Sequence, residues 1–256
     1  MRYYKGYVAL SDTCDVPILI HIRNARALYF EQLRDLILLD GNGIAITSLR
    51  WRVARIEKAG LIQRLSDQRH LGKPVFGITR SGLAFLESRG HFLLSLPSTA
   101  EQMLHPAQVP HALEMVNIRL ALMKAGILRN WKTDLEIASR NLVLETVATK
   151  DFDAIAEVDV DGRQLCYAIE YERSPKSASR YRAIREVLDK DVTVDAVLYL
   201  TANDDILYLL ALEMRGAHKR IAFALSESFR KSLLDTRTLT NTPNSQVVPL
   251  RDLIED

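Results

Sequence analysis

The stretch RIEKAGLIQR (residues 55–64), followed by KPVFGITRSGLAFL (residues 73–86), decides the fold of the first third of the chain. A helix ends within it before Gly60, because glycine commonly follows the last turn of a helix. LIQRLS (61–66) and PVFGIT (74–79) each predict a strand, and the polar residues between them predict a turn. The stretch therefore predicts a helix followed by a β-hairpin.

Further helices are predicted on both sides of this hairpin. Thr79 is a favourable N-cap for the helix that follows it, SGLAFLESRG (residues 81–90). Upstream, DGNG at residues 40–43 is a strong helix stop, and Thr47 or Ser48 is expected to cap the helix after it. The apolar spacing predicts three upstream helices, at residues 18–27, 30–39 and 49–59.

This order of three helices, a two-stranded wing and a fourth helix resembles the winged helix–turn–helix modules of many bacterial regulators. The resemblance implies a DNA-binding module from Pro17 to Gly90, within a first domain of residues 1–97. Residues 1–100 hold 14 Lys/Arg and 8 Asp/Glu, whereas the remainder holds 20 and 24. A basic first domain favours a polyanionic partner, although ordinary variation in composition would give the same imbalance.

The third helix, TSLRWRVARIEKAG from Thr47, is predicted to present a basic outer surface once its apolar stripe is packed inward. Arginine can bind guanine bidentately or contact phosphate, and a basic wing tip suits phosphate or the minor groove. A solvated charged face is the alternative. Trp51 is expected to pack against the second helix or to serve a dimer contact. The residues predicted to contact DNA are Ser48, Arg50, Arg52, Arg55 and Lys58 on the helix and Arg64, Arg69, His70 and Lys73 on the wing.

Residues 98–256 predict a second, α/β domain. One long helix, at residues 107–128, is expected to precede three candidate strands with a hairpin turn at Asp161–Gly162. The strands are predicted at residues 132–138, 152–160 and 163–172, followed by a helix at 177–189 and an apolar strand at 192–201. A helix at residues 204–215, a strand at 220–225 and a last edge at 247–250 complete the prediction.

The element order of this domain resembles the core of PD-(D/E)xK nucleases, so the chain is expected to be α+β, a winged helix–turn–helix followed by a nuclease-like α/β domain. KDFDAIAEVDV (residues 150–160) supplies Asp153 at the start of the second strand. CYAIEYERSPKS (residues 166–177) supplies Glu170 and Glu172 on the third. The resemblance implies a catalytic set of Asp153, Glu170, Glu172 and Lys176, with Asp153 and Glu170 as metal ligands.

Two physical arguments support a metal site there. Period-two geometry puts Glu170 and Glu172 on one face of a strand, and the neighbouring strand can bring Asp153 beside them. Converging carboxylates suit Mg²⁺, which can activate water and stabilise charge on a scissile phosphate. Glu172 departs from the pattern because it stands where the nucleases have Lys, and Lys176 is therefore interpreted as a displaced lysine. Glu136, on the preceding predicted strand, is interpreted as an extra metal ligand.

Two alternatives without catalysis stay open for Asp153, Glu170 and Glu172. These carboxylates are either surface charges on an exposed sheet face or salt-bridge partners of Arg173, Arg180 and Arg182. A nuclease-derived domain that keeps the fold but has lost its chemistry is the third interpretation. The sequence identifies no cofactor firmly, and Mg²⁺ is expected if the nuclease-like site is active.

A set of short motifs runs through both predicted domains: "GLI … GITRSG", HALEMVNIRLAL from His111, NWKTDLEI from Asn130, "D … AIEYE" and the helix Lys176–Tyr181. With these motifs, the whole layout is similar to the replication-relaxation family of bacterial mobile elements and plasmids. Phe152 departs from the family pattern, in which Pro often precedes the Asp. The resemblance implies a role in plasmid replication or DNA relaxation without fixing a reaction.

Composition excludes several classes of function. No apolar run reaches the ~20 residues that span a bilayer, and MRYYKGYVAL does not read as a signal peptide, so a cytoplasmic protein is expected. Cys14 and Cys166 are far apart and have no partner at metal-ligand spacing, which disfavours a disulfide and a structural zinc. A glycine-rich phosphate loop, a GxSxG elbow and an HExxH motif are all absent from the sequence. Their absence disfavours ATP hydrolysis, serine hydrolase chemistry and zinc peptidase chemistry, in that order.

Three hypotheses of function follow. The first is a DNA-binding regulator of transcription or replication with a nuclease-like second domain, and the alternative is an Mg²⁺-dependent endonuclease targeted by its winged helix. The third is an adaptor that recruits a relaxase or replication initiator. The expected partners are double-stranded DNA, a second copy of the chain in a homodimer, and a relaxase or replication protein, with no membrane.

Overall fold

The structure is a computed structural model, and it divides the chain into two compact units, Met1–Val116 and Asn117–Asp256. The division falls within one helix, Val109–Lys124. The domain boundary expected at residue 97 stays a prediction. No helix in the described part of the chain is long and apolar enough to cross a bilayer. The residues described are 9–65, 73–94, 104–144, 150–160, 162–242 and 247–254.

The first unit has the predicted order of helices and strands, with one short strand added. Its elements are α1 (Asp15–Ala25), β1 (Leu28–Tyr29), α2 (Phe30–Leu39), α3 (Ile46–Lys58), β2 (Ile62–Leu65), β3 (Val75–Ile78) and α4 (Arg80–Ser88). The bounds predicted for α2 are confirmed. The predicted cap of α3 is wrong, because the helix begins at Ile46 after Ala45 and therefore contains Thr47 and Ser48.

The three strands form an antiparallel sheet in the order β1-β3-β2. Leu28 lies opposite Phe76, and Ile62 lies opposite Ile78. The apolar stripe expected on α3 is confirmed, since Leu49, Val53 and Ile56 are buried with the α1 and α2 side chains Ile18, Leu19, Ile22, Leu33 and Ile37. Burial of one stripe fixes which residues of α3 face outward.

The junction between the hairpin and α4 is closely packed. The predicted cap is confirmed, since Thr79 Oγ1 accepts a hydrogen bond from Gly82 N at 3.1 Å. The same hydroxyl donates to the Gly60 carbonyl at 2.6 Å. A Cβ added at Gly82 would lie 2.1 Å from the Leu61 carbonyl oxygen. The first turn of α4 therefore lies directly against backbone at the start of the hairpin.

The second unit is built on a seven-stranded mixed sheet in the order β10-β9-β8-β7-β6-β5-β4. β4, β5 and β6 pair antiparallel, β6 to β8 pair in parallel, and β8 to β10 pair antiparallel. The helix that the division crosses is α5 (Val109–Lys124), and its second half belongs to this unit. The other elements are β4 (Leu128–Thr133), α6 (Asp134–Leu144), β5 (Ala154–Val160), β6 (Arg163–Glu172), α7 (Ala178–Leu188), β7 (Ala196–Thr201), α8 (Asp204–Glu213), β8 (Ile221–Leu225), α9 (Ser226–Ser232), β9 (Arg237–Thr240) and β10 (Val247–Pro249).

Most predicted elements of this unit are confirmed, and the bounds of β6 match residue for residue. Gly162 has a φ of +80° where β5 turns into β6, and Asp161 lies outside the described residues. The strand predicted at residues 132–138 is wrong after Thr133, because α6 begins at Asp134. Two further elements, α9 and β9, were not predicted.

Glu136 lies in the first turn of α6 rather than on a strand. Its carboxylate accepts hydrogen bonds from the Thr133 amide and hydroxyl, each at 2.8 Å. This contact ends β4 and starts the helix, since a glutamate three residues after a Thr cap satisfies a free backbone N–H. The prediction that Glu136 lies on a strand is therefore wrong, and its role as a metal ligand stays a prediction.

One face of the sheet carries a continuous apolar core. Ala168, Val197 and Phe223 from neighbouring strands are buried in it. α7 covers this face with Tyr181 and Leu188, and α8 adds Ile206, Leu207 and Leu210. Because side chains alternate along β6, Glu170 and Glu172 point to the same face as Ala168. Two acidic residues therefore adjoin a hydrophobic core.

We expect Gly82→Ala to lower the free energy of unfolding of the first unit by about 2 kcal/mol, because the new methyl group meets backbone that cannot move aside. Urea denaturation followed by circular dichroism measures the change. Gly43→Ala is the matched control, since nothing lies within 4 Å of its added Cβ. An equal stability of both variants would contradict the close packing at Gly82.

Candidate functional site

α3 is anchored through a fully buried carboxylate. Asp15, at the start of α1, accepts a hydrogen bond from Arg52 Nη1 at 2.9 Å and pairs with Arg55 Nη2 as well. The Ser11 amide donates to the same carboxylate at 2.7 Å. Two of the arginines predicted to contact DNA therefore point toward α1, and their assignment to DNA stays a prediction.

The exposed residues of α3 are Ile46, Thr47, Arg50, Trp51, Ala54 and Lys58. Arg50 lies over the Phe30 ring, with its guanidinium carbon 5.6 Å from the centroid. Among the described residues, neither Arg50 nor Lys58 has an ion-pair partner. Ser48 is half-buried at the edge of this face. The outward face thus offers two cations for contact with an anion.

Trp51 belongs to this face, and its side chain is 58% exposed. The expected packing of Trp51 against α2 is therefore wrong. The Arg55 guanidinium stacks on the indole ring at 4.6 Å from its centroid, which holds the ring on the surface. The helical spacing from Thr47 through Trp51 to Lys58 places all three on one side. That spacing was the signal in the sequence for an exposed tryptophan.

The basic residues predicted for the wing divide into two groups. Arg64 is exposed and forms an ion pair with Glu57, with Nε 2.8 Å from Oε1. Lys73 is exposed just before β3. Arg69 and His70 lie outside the described residues.

The second unit brings together the four residues predicted to be catalytic. Asp153 precedes β5 and lies beside Glu170, because Ala154 pairs with Ile169 across the two strands. The Tyr171 amide donates to Asp153 Oδ2 at 2.8 Å, and the Asp153 amide donates to Glu170 Oε1 at 3.4 Å. Backbone N–H groups thus fix the carboxylates of two adjacent strands against each other.

Each glutamate of this cluster is paired with a lysine. Glu170, 9% exposed, forms an ion pair with Lys150 Nζ, and Glu172, 7% exposed, forms one with Lys176 Nζ. The Lys176 amide also donates to the Tyr181 hydroxyl at 2.9 Å. The prediction that Lys176 reaches back to the carboxylates agrees with this geometry. Its catalytic role stays a prediction.

Lys150 was not predicted as a member of the cluster. Its ammonium forms the ion pair with Glu170 and also lies 4.8 Å from the centroid of the Phe152 ring. Because buried charges are almost always paired, two glutamates on a buried strand face require cations nearby. Lys150 is three residues before Asp153, so this requirement was the signal in the sequence that could have found it.

The protonation equilibria reflect this buried environment. Burial raises the pKa of Glu170, while the Lys150 ammonium opposes that rise. Burial also lowers the pKa of Lys176, and the charges of Glu170 and Asp153 act in the opposite sense. The pKa of Tyr199 is raised, first by burial and then by Glu170 and Asp153. The pKa values of Glu170, Lys176 and Tyr199 therefore depend first on burial and then on the neighbouring charges.

The residues do not fit a carboxylate cage for Mg²⁺ as they stand. Among the described residues, no group of three or more His, Cys, Asp or Glu side chains is arranged to hold a metal ion. Glu170 and Glu172 are each neutralised by a lysine, and Asp153 binds a backbone amide. A divalent ion would have to displace these partners.

Comparison with known proteins gives little further information. No protein-family model matches the chain, and no curated protein matches it. The solved structure of the restriction endonuclease FokI is similar with 11% sequence identity and a TM-score of 0.31, over 88% of this chain and 45% of the endonuclease. FokI bound to DNA gives 10% identity and a TM-score of 0.25 over the same fractions. The chain spans less than half the length of that enzyme.

The buried Asp15 cluster is expected to hold α3 in place. Asp15→Asn should lower the free energy of unfolding of the first unit by about 3 kcal/mol, since it leaves two arginines without their buried partner. Trp51 and Trp131 are the two tryptophans, so Trp51 fluorescence in a Trp131→Phe background reports the first unit.

Asp12→Asn is the matched control, because Asp12 forms an exposed ion pair with Arg89. We expect that variant to change stability by less than about 1 kcal/mol. If Asp15→Asn were no more damaging than Asp12→Asn, the anchoring of α3 by Asp15 would be refuted.

Proposed function

We propose that the chain is a DNA-binding regulator of transcription or replication, whose first unit is a winged helix–turn–helix with α3 as the recognition helix. The observation that carries the proposal is the outward face of α3. Arg50 and Lys58 are exposed there, on either side of Trp51 and Ala54. β2 and β3 form the wing in this proposal, and Arg64 and Lys73 are its described cations.

The physical argument begins with shape. An α-helix fits the major groove of duplex DNA, and a helix held rigidly by its neighbours can keep its side chains in register with the bases. Asp15 holds α3 through Arg52 and Arg55, and the face that carries Arg50, Trp51 and Lys58 stays exposed. Arg50 and Lys58 supply charge for phosphate or guanine, and Trp51 and Ala54 supply apolar contact area.

For the second unit we propose a nuclease-like domain that serves dimerisation or DNA grip. The support is its element order: α5, three antiparallel strands with α6 inserted after the first of them, then α7 and the parallel strand β7. In keeping with the resemblance to replication-relaxation proteins, a plasmid or mobile element is the proposed context. A relaxase or replication protein is then a partner that the domain recruits.

We expect Arg50→Ala combined with Lys58→Ala to weaken binding to a mixed-sequence DNA duplex. The slope of log K against log salt should become shallower by about 2, since each lost phosphate contact removes about 0.9. Fluorescence anisotropy with a labelled duplex, measured at several salt concentrations, gives both the affinity and the slope.

Arg230→Ala combined with Lys231→Ala is the matched control, because both residues are exposed on α9 and the charge removed is the same. That variant should bind as the parent protein does. Equal losses in the two double variants would mean that net charge, and not the face of α3, governs binding.

A second candidate function is an Mg²⁺-dependent endonuclease, which is favoured by the convergence of Asp153, Glu170, Glu172 and Lys176. The pairing of both glutamates with lysines argues against it. Supercoiled plasmid incubated with the protein and Mg²⁺ or Mn²⁺ decides between the two functions. We expect the plasmid to stay intact, as measured on an agarose gel.

An Asp153→Asn/Glu170→Gln variant prepared in parallel identifies the source of any cleavage. Nicking by the parent protein that this variant abolishes would establish the endonuclease in place of the pure regulator. Nicking by both proteins would mean a contaminating nuclease.

A further inference from the structure

We infer that the outward face of α8 is the surface through which two copies of this chain associate, with the two α8 helices antiparallel across a twofold axis. The inference rests on the dimerisation proposed for the second unit and names the surface that performs it. Residues 206–212, ILYLLAL, lie within α8, and all seven of them are apolar. Because a helix that is apolar on every side is ordinarily buried on every side, this composition predicts a cover for both faces of α8.

The chain itself covers one face of α8. That face packs in the core of the second unit through three residues, Ile206, Leu207 and Leu210. On the outward side, Tyr208 is 65% exposed, and Leu212, one helical turn away, is 57% exposed. α7 covers the same face of the sheet, and its exposed residues include the charged Arg182 and Glu186. The apolar outward side is therefore a property of the α8 sequence and not of its place in the fold.

Charged residues lie at both ends of this apolar face. Asp204 and Asp205 are exposed in the first turn of α8, and Arg215 is exposed in the turn that follows the helix. Within the described part of the chain, none of these three side chains forms an ion pair. Steps of three, four and three residues lead from Asp205 through the two exposed apolar residues to Arg215. Such steps keep side chains on one side of a helix, so the face is acidic at its start, apolar in the middle and basic at its end.

This arrangement is complementary to itself. A twofold axis perpendicular to α8 at the level of Leu210 sets Asp205 opposite Arg215 of a second copy. The same axis sets Tyr208 opposite Leu212 of that copy. Each pair then forms twice, as an interface between identical surfaces requires. A parallel arrangement would instead place like charges against each other, which is destabilising. The charges at the two ends therefore select a second copy of the chain, in antiparallel orientation, as the occupant of the face.

The size of the face sets the strength of the association. From Asp205 to Arg215 the face is about 15 Å long, because an α-helix rises about 1.5 Å per residue. Interfaces at the small end of the range are weak and transient. We therefore expect a dimer that dissociates on dilution, since the association of two copies depends on their concentration.

The test measures the mass of the chain by sedimentation velocity over about a hundredfold range of concentration. The parent protein should pass from monomer to dimer as its concentration rises. Tyr208→Ala combined with Leu212→Ala should raise the dissociation constant at least about tenfold, because a few side chains at the centre of an interface carry most of its binding energy. Leu142→Ala combined with Val143→Ala is the matched control, since both residues are exposed on α6. That variant should dimerise as the parent protein does.

Charge reversal tests the antiparallel arrangement. Asp205→Arg alone and Arg215→Asp alone should each abolish the dimer, because each sets like charges opposite each other. The double variant, Asp205→Arg with Arg215→Asp, should dimerise again, since it restores both ion pairs with the charges exchanged. An equimolar mixture of the two single variants should also dimerise. All the substituted side chains are exposed, and circular dichroism verifies that each variant is folded.

Four results would overturn the inference. A parent protein that is monomeric at every concentration would refute it together with the proposed dimerisation. A dimer that survives the α8 substitutions would refute the α8 surface and leave dimerisation standing. Equal losses in both alanine pairs would mean that exposed apolar area in general, and not α8, drives association. Failure of the double charge variant to dimerise would refute the antiparallel arrangement. None of these results bears on DNA binding by α3, because the assay contains no DNA.

Discussion

Buried carboxylates, and the cations that must accompany them, are the constraint on which both units depend. A carboxylate removed from water is tolerated only when a counter-charge and hydrogen bonds replace its solvation. Asp15 is fully buried and holds Arg52 and Arg55. Glu170 and Glu172 hold Lys150 and Lys176. In each unit the buried carboxylates fix the positions of the basic side chains that bind them. Those basic side chains in turn offset the free-energy cost of burying the carboxylates.

This constraint changes how the basic character of α3 is understood. The helix carries four basic residues, and their number alone suggests a broad electropositive surface. Half of that charge is used to bind Asp15, so the outward face is more mixed, with Trp51 exposed beside Arg50. In the proposed function, such a face relies on contact area as well as on charge. Counting cations along a helix overestimates what is available to a partner whenever a buried acid lies beneath it.

Local signals in the sequence predicted much of the fold, and they failed where two signals competed. α2, β6 and the Thr79 cap follow from periodicity and capping chemistry, which act over a few residues. The segment from Trp131 to Ile137 alternates in a way that suits a strand, yet it contains the capping pattern T-x-x-E at Thr133. The structure follows the cap. Alternation over so few residues was weaker evidence than a hydrogen-bonding pair at fixed spacing.

The carboxylate cluster shows that local signals in the sequence predict pairing across one hairpin but not the counter-ions that other segments supply. Strand parity and a hairpin were enough to place Asp153, Glu170 and Glu172 together, because pairing across β5 and β6 is local. Their counter-ions were harder to predict, since Lys150 precedes β5 whereas Glu170 lies near the end of β6. The ligand pattern identifies where a cation belongs, and the neighbouring lysines decide which cation is present. A carboxylate motif is therefore evidence for metal chemistry only after the nearby cations have been assigned to their partners.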